Sequence, residues 1–147
     1  MNLTEIVTSS CEETEEAGRK FAGELEKGAF VAFYGDLGAG KTAFVRGMGK
    51  VLCPDAEVCS PSYSIVNEYR KDGKTVIYHV DAYRISDEDD LYSTGFYDFA
   101  EDPEATVAVE WSEKIPYALP ENAIKVTIEK TGDSTRKITI ERSGENS

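Results

Sequence analysis

Eight consecutive residues, Gly35-Asp36-Leu37-Gly38-Ala39-Gly40-Lys41-Thr42, follow the pattern G-x-x-x-x-G-K-[ST]. Glycines at this spacing let the backbone wind until successive N–H groups point inward, as an anion with several oxygens requires. A helix that starts here adds the partial positive charge of its N-terminus. The Lys41 ammonium can then reach the outer phosphates of a nucleotide, and the Thr42 hydroxyl offers a hard oxygen to an octahedral Mg²⁺. A glycine-rich turn that holds no ligand would leave the Lys-Thr pair unexplained, so the segment reads as a phosphate-binding loop.

Such a loop also needs a carboxylate for the metal and a group that orients the nucleophile, and both belong at the ends of neighbouring strands. Asp81 closes the apolar run Val76-Ile77-Tyr78-His79-Val80, and Glu110 closes Thr106-Val107-Ala108-Val109. Either acid suits either role, with a helix cap or a surface acid as the plain alternative for each. Trp111, the only tryptophan, follows Glu110 and is placed to plug the core or to wall a nucleotide site. Ser60-Pro61-Ser62-Tyr63 is a turn at the distance from the loop where switch segments of nucleotide hydrolases lie, with an ordinary loop as the simpler reading. His79, the only histidine, is flanked by apolar residues and reads as a satisfied core side chain. Arg70, Lys71 and Lys74 read as a solvated hairpin tip.

These residues need a frame. Ala29-Phe30-Val31-Ala32-Phe33-Tyr34 is too short for a helix and continuously apolar, which predicts a buried, parallel strand leading into the loop. Thr42, Phe44, Val45, Met48, Val51 and Leu52 repeat at helical spacing until Pro54 stops them. Upstream, Leu3, Ile6 and Val7 predict a short strand. Ser9-Ser10-Cys11-Glu12-Glu13 contains S-x-x-E capping boxes, which start a helix expected to run to about Lys27 with Gly28 as its stop. Tyr63–Tyr69 and Thr75–Val80 flank Asp72-Gly73 as an antiparallel hairpin. Ser86–Asp90 starts a solvated helix, with a short helix and irregular chain from Leu91 to Phe99. Thr106–Val109 is another buried strand, and Ala123–Ile128 with Lys137–Ile140 forms a terminal hairpin around Thr131-Gly132-Asp133. The expected fold is a three-layer α/β domain of the P-loop NTPase type, with a mainly parallel central sheet and antiparallel hairpins at its margins.

A chain of 147 residues has room for one domain, expected over 1–142, with 143–147 as a frayed tail. With 28 acids against 16 bases the formal charge is −12, which disfavours an autonomous nucleic-acid binder. The start of the chain has neither a basic nor an apolar targeting region, and no apolar run reaches a membrane span, so a cytoplasmic protein is expected. Cys11, Cys53 and Cys59 form no CxxC pair and read as reduced thiols. No N-K-x-D segment exists to read guanine. A small-molecule kinase would usually carry an arginine-bearing lid, and only Arg19, Arg46, Arg70 and Arg84 precede residue 100. A kinase and a nucleotide-gated binding module remain the alternatives to a hydrolase. Arg84 is the expected source of any arginine acting within the chain, with a partner contact as its alternative, because Arg46 is expected to face away from the phosphates.

In order, Gly35 to Thr42, Ser60-Pro61-Ser62-Tyr63, His79-Val80-Asp81-Ala82-Tyr83-Arg84 and Glu110-Trp111 resemble the motifs of the TsaE (YjeE) family of bacterial ATPases of tRNA threonylcarbamoyladenosine synthesis. Members of that family carry G-D-L-G-A-G-K-T, S-P-T-[FY], H-x-D-x-Y-R and E-W. The departures here are Ser62 in place of threonine, Ala43 in place of a second threonine, and Ile85 in place of leucine. The resemblance implies an ATP-binding and ATP-hydrolysing subunit that works with TsaB and TsaD, reaches tRNA only through them, and leaves the transfer to TsaD. It further implies Thr42 and Glu110 as Mg²⁺ ligands, Asp81 as an acid important for hydrolysis beside Lys41, and 60–63 as a switch. Adenine would lie toward Cys11 to Thr14 and the terminal hairpin. A charge of −12 fits a chain that needs partners to approach tRNA.

Overall fold

The computed structural model describes residues 2–35, 40–55, 57–59 and 66–142. Asp36, Leu37, Gly38 and Ala39 of the glycine-rich segment, the expected switch residues Ser60, Pro61, Ser62 and Tyr63, and the expected tail 143–147 lie outside the described residues. The strands are β1 (Asn2–Thr8), β2 (Phe30–Tyr34), β3 (Glu57–Cys59), β4 (Val66–Lys71), β5 (Lys74–Asp81), β6 (Thr106–Glu110), β7 (Ile124–Lys130) and β8 (Arg136–Arg142). The helices are α1 (Cys11–Gly23), α2 (Lys41–Leu52), α3 (Glu88–Ser93) and α4 (Phe96–Phe99).

All eight strands form one sheet in the order β1-β8-β7-β2-β6-β5-β4-β3. The inner four, β7, β2, β6 and β5, run parallel, and the pairs outside them are antiparallel. β2 has parallel neighbours on both edges and apolar layers on both faces, so Val31, Ala32 and Phe33 are wholly buried and no alternation is visible in its sequence. On one face, Val31, Phe33, Ala108, Val126 and Ile138 pack under Ala17 and Phe21 of α1 and Phe44, Val45 and Met48 of α2. On the other, Phe30, Ala32, Val107 and Val109 pack on Ile85, Leu91, Phe96 and Ile115. Three layers are therefore present, and the sheet is mixed, with three parallel pairings at its centre and four antiparallel ones outside them.

The two helices that frame the loop touch backbone to backbone. A Cβ on Gly18 would stand 2.1 Å from the Phe44 carbonyl oxygen, and one on Gly47 would stand 1.9 Å from that of Glu15. Glycine at these two points lets α1 and α2 approach so closely that their N-termini share one edge of the sheet.

The structure amends the expected outline in three places. α1 ends at Gly23 rather than near Lys27: the chain tightens so that Glu24 and Leu25 bond back only three residues, while Leu25 still packs on the core. Gly28, at φ 80°, serves a later turn against Pro103. β3 is a three-residue edge strand without enough alternation to be seen. The terminal hairpin is also more than a margin, since β7 joins the parallel set beside β2 and it is β1 that forms the edge. The hairpin at Asp72-Gly73 has both residues left-handed, φ 55° and 77°, as a tight two-residue turn needs. No helix among the described residues is long and apolar enough to cross a membrane.

Candidate functional site

At the C-terminal ends of the parallel strands a cleft of about 610 Å³ opens between the starts of α1 and α2 and the turn joining β7 to β8. Gly40, at φ 104°, lets the chain leave the loop and enter α2 directly. The next residue, Lys41, lines the cleft yet is only 4% exposed. Its Nζ donates to the Gly35 carbonyl at 2.8 Å and stands 4.1 Å from the centre of the Trp111 ring. Trp111 takes a left-handed backbone, φ 60°, immediately after β6, which directs its ring to the start of α2; Tyr83 packs on the same ring at 5.0 Å. Among the described residues Lys41 forms no ion pair. A buried ammonium held by a carbonyl and a ring face is short of negative charge, and the free N–H groups of α2 add to that deficit.

Opposite stand the two acids. β5 and β6 pair in parallel with Asp81 directly beside Glu110, and strand alternation puts both on the face covered by α1 and α2. Their surroundings differ. Glu110 has a side chain only 13% exposed and accepts from His79 Nε2 at 2.5 Å. Asp81 is exposed, and its Oδ1 accepts from the Tyr83 N–H at 3.0 Å, capping the short turn Ala82–Arg84. Thr42 and Glu110 both line the cleft and together offer one hydroxyl and one carboxylate. This hard, incomplete oxygen set fits Mg²⁺, which keeps its remaining positions for water and phosphate oxygens.

The first turn of α1 closes the far wall. Ser10 caps the helix, accepting from Glu13 N–H at 3.0 Å, while Glu13 accepts from Ser9 N–H at 2.8 Å. Cys11 and Thr14 both line the cleft. The Thr14 hydroxyl is committed to Thr8 Oγ1 at 2.7 Å and to the Ser10 carbonyl at 3.2 Å, which leaves its methyl as the surface nearest Gly40. Ala43 is buried at the edge of the cleft.

Arg46 is among the residues that line the cleft, and it also lines a smaller hollow with Gly49, Lys50 and Tyr69. It stands four residues after Thr42 and therefore on the same side of α2, a spacing that would have revealed it. Burial raises the pKa of the Tyr69 hydroxyl; the Arg46 guanidinium pulls it back and Glu110 adds to the rise, so Arg46 and Glu110 both act on the same side chain. Arg84 is exposed and is not part of the cleft lining. Asp133, Ser134 and Arg136 complete the wall from the β7–β8 turn, with Arg136 donating to the carbonyls of Thr135 at 3.0 Å and Gly132 at 3.4 Å. No local pattern marks these three individually; they reach the cleft because β7 lies beside β2.

A family model described as "Threonylcarbamoyl adenosine biosynthesis protein TsaE" matches residues 8–138. The chain belongs to the TsaE family. Among its relatives, the tRNA threonylcarbamoyladenosine biosynthesis protein TsaE of Haemophilus influenzae is 41% identical over 122 residues, covering 80% of this chain and 76% of that protein. The protein of the same name from Synechocystis is 38% identical over 117 residues, covering 78% and 74%. The crystal structure of Bacillus subtilis YdiB superposes with a TM-score of 0.77 at 29% identity, covering 99% of this chain and 88% of that one.

Proposed function

We propose that this chain binds ATP with Mg²⁺ and hydrolyses it as the nucleotide-dependent subunit of tRNA threonylcarbamoyladenosine synthesis, acting with TsaB and TsaD and leaving the threonylcarbamoyl transfer to TsaD. The observation that carries the reading is Lys41, a buried ammonium at a helix N-terminus with no counter-charge among the described residues, facing two strand-terminal carboxylates across an open cleft. This arrangement suits a polyphosphate and supports a fold of the P-loop NTPase type. Polyphosphate oxygens would supply the charge that Lys41 lacks, with Gly35 to Ala43 forming the cradle and Trp111 its wall.

Thr42 and Glu110 would hold Mg²⁺, which when bound neutralises charge that develops on the phosphate oxygens. Asp81 is exposed to the cleft and suits orientation of the attacking water through a carboxylate oxygen. The reaction makes a bond from water oxygen to the γ-phosphorus and breaks the bond to ADP, releasing phosphate. Arg46 brings a guanidinium within the chain, the type of group worth on the order of 10³–10⁵ in rate where it contacts the transferring phosphoryl group. Cys11 and the β7–β8 turn would receive the adenine end. Residues 60–63 are proposed as the switch through which ATP gates association with TsaB and TsaD, giving slow turnover alone and faster turnover in their company.

Phosphate release is to be followed with Mg²⁺ and ATP for the isolated chain and after addition of TsaB and TsaD, with every product checked for transferred phosphate. Free phosphate, released faster with the partners, is the expected result. Rapid turnover alone with no response to the partners overturns the gating, and a stoichiometrically phosphorylated small acceptor replaces the hydrolase with a kinase.

A further inference from the structure

His79 has no part in the reading above, and its position says what it can do. Asn67, His79 and Ala108 are direct partners across β4, β5 and β6, so their side chains share the face beneath α2. Ala108 is small and directly opposite His79, which leaves the ring room to lean along β6 to Glu110, two residues farther toward the cleft. An ionised carboxylate only accepts, so the ring is assigned the tautomer with its proton on Nε2, donating to Glu110 Oε2. Both side chains are largely enclosed, at 11% and 13% exposure, where a charge-assisted bond of this kind is strong and directional. On the outer side of the row, Asn67 Oδ1 is buried and is the one such side-chain atom without a hydrogen-bond partner among the described residues.

We propose that His79 is a positioning residue for the metal-binding carboxylate: it engages Oε2 of Glu110, fixes the plane of the group at the floor of the cleft, and leaves Oε1 for the divalent cation. The proposal rests on the Mg²⁺–ATP reading of the cleft. It separates His79 from a merely space-filling core histidine, because a filler would affect folding and ATP affinity alike, whereas an orienting partner affects the metal requirement selectively. Groups that orient a ligating side chain typically contribute about 10- to 100-fold to metal affinity.

The chain holds one histidine and one tryptophan, the latter beside Lys41, so the native protein provides unambiguous ring-nitrogen signals and a fluorophore at the site. ATP binding is to be followed by Trp111 fluorescence in EDTA and then across a Mg²⁺ titration, for wild type, His79→Gln and His79→Asn. Glutamine places its amide nitrogen where Nε2 stands; asparagine is too short. The expected outcome is a half-saturating Mg²⁺ concentration close to wild type for H79Q and about tenfold higher for H79N, with ATP affinity in EDTA equal in all three. An unchanged Mg²⁺ requirement in H79N, or a loss of ATP affinity in EDTA that matches it, overturns the proposal. Should the variants fail to fold, the ¹⁵N spectrum of the wild-type ring decides: an Nε2-protonated ring whose resonances move when Mg²⁺ joins bound non-hydrolysable ATP supports the role, and no movement overturns it. A wild-type chain that binds ATP in neither condition refutes the nucleotide reading itself, and this inference with it.

Discussion

Lys41 trades stability for binding. Its ammonium is buried against a carbonyl and a ring with no carboxylate partner among the described residues, so truncation removes a desolvated charge and little core volume. Lys41→Ala is expected to weaken ATP binding by about 10- to 150-fold, the worth of a hydrogen bond to a charged group, while the melting temperature of the nucleotide-free chain stays equal or rises. Parallel fluorescence titration and thermal denaturation check both halves. The two acids call for different substitutions. Asp81→Asn keeps an oxygen to accept from Tyr83 N–H and removes only the charge, so it is expected to bind Mg²⁺–ATP nearly as well as wild type and to lose about 10²-fold or more in turnover. Glu110→Gln should instead raise the Mg²⁺ concentration needed for binding. Equal losses of binding in both would assign both carboxylates to the metal.

Between elements, the contact of α1 with α2 decides the width of the cleft. Gly18→Ala would drive a methyl into the Phe44 carbonyl, and backbone cannot yield as a side-chain tip can. It is expected to cost about 3 kcal/mol or more in urea denaturation and to weaken ATP binding, because α1 carries Ser10, Cys11 and Thr14 along one wall. On the other face, Tyr97 joins α4 to α3 by donating to Glu88 at 2.9 Å. Burial, then the bond to Glu88, pushes the pKa of its hydroxyl up to about 12 from 10. Between those values the folded state holds a proton that the unfolded chain has lost, so this contribution to stability is intact below pH 10 and disappears as the pH rises toward 12. Tyr97→Phe should therefore flatten the fall of stability over that interval, as read by denaturation midpoints from pH 9 to 12.

At the scale of the molecule, charge and sheet polarity pull in different directions. The chain carries a formal −12, and the cleft at the C-terminal edge of the parallel strands sets Lys41, Arg46 and Arg136 among Asp81, Glu110 and Asp133. On the proposed reading a small polyphosphate would enter that cleft, whereas an extended phosphate backbone would meet the acids outside it. The isolated chain is expected to leave tRNA unretained in filter binding at physiological salt, with retention appearing only when TsaB and TsaD are present. Salt-sensitive retention by the chain alone would show that its basic side chains outweigh the net charge.

The frame of the glycine-rich segment was legible because its geometry is local: a buried strand before the glycines and a helix from Lys41 after them. β2, α2 and the hairpin at Asp72-Gly73 were readable for the same reason, since apolar periodicity and turn residues act over a few positions. Asp81 and Glu110 could be named as strand-terminal acids, yet spacing left them interchangeable. Their different surroundings arise from the pairing of β5 with β6, which brings His79 to one carboxylate and leaves the other to cap a turn. That Arg46 lines the cleft and Arg84 does not depends on the direction of the helix in space and not on distance along the chain. Asp133, Ser134 and Arg136 enter the wall only because β7 returns to the edge of β2, some ninety residues after it. Local sequence fixes backbone conformation through sterics and capping over a few residues, whereas a wall built from distant strands exists only once the buried sheet has chosen its order.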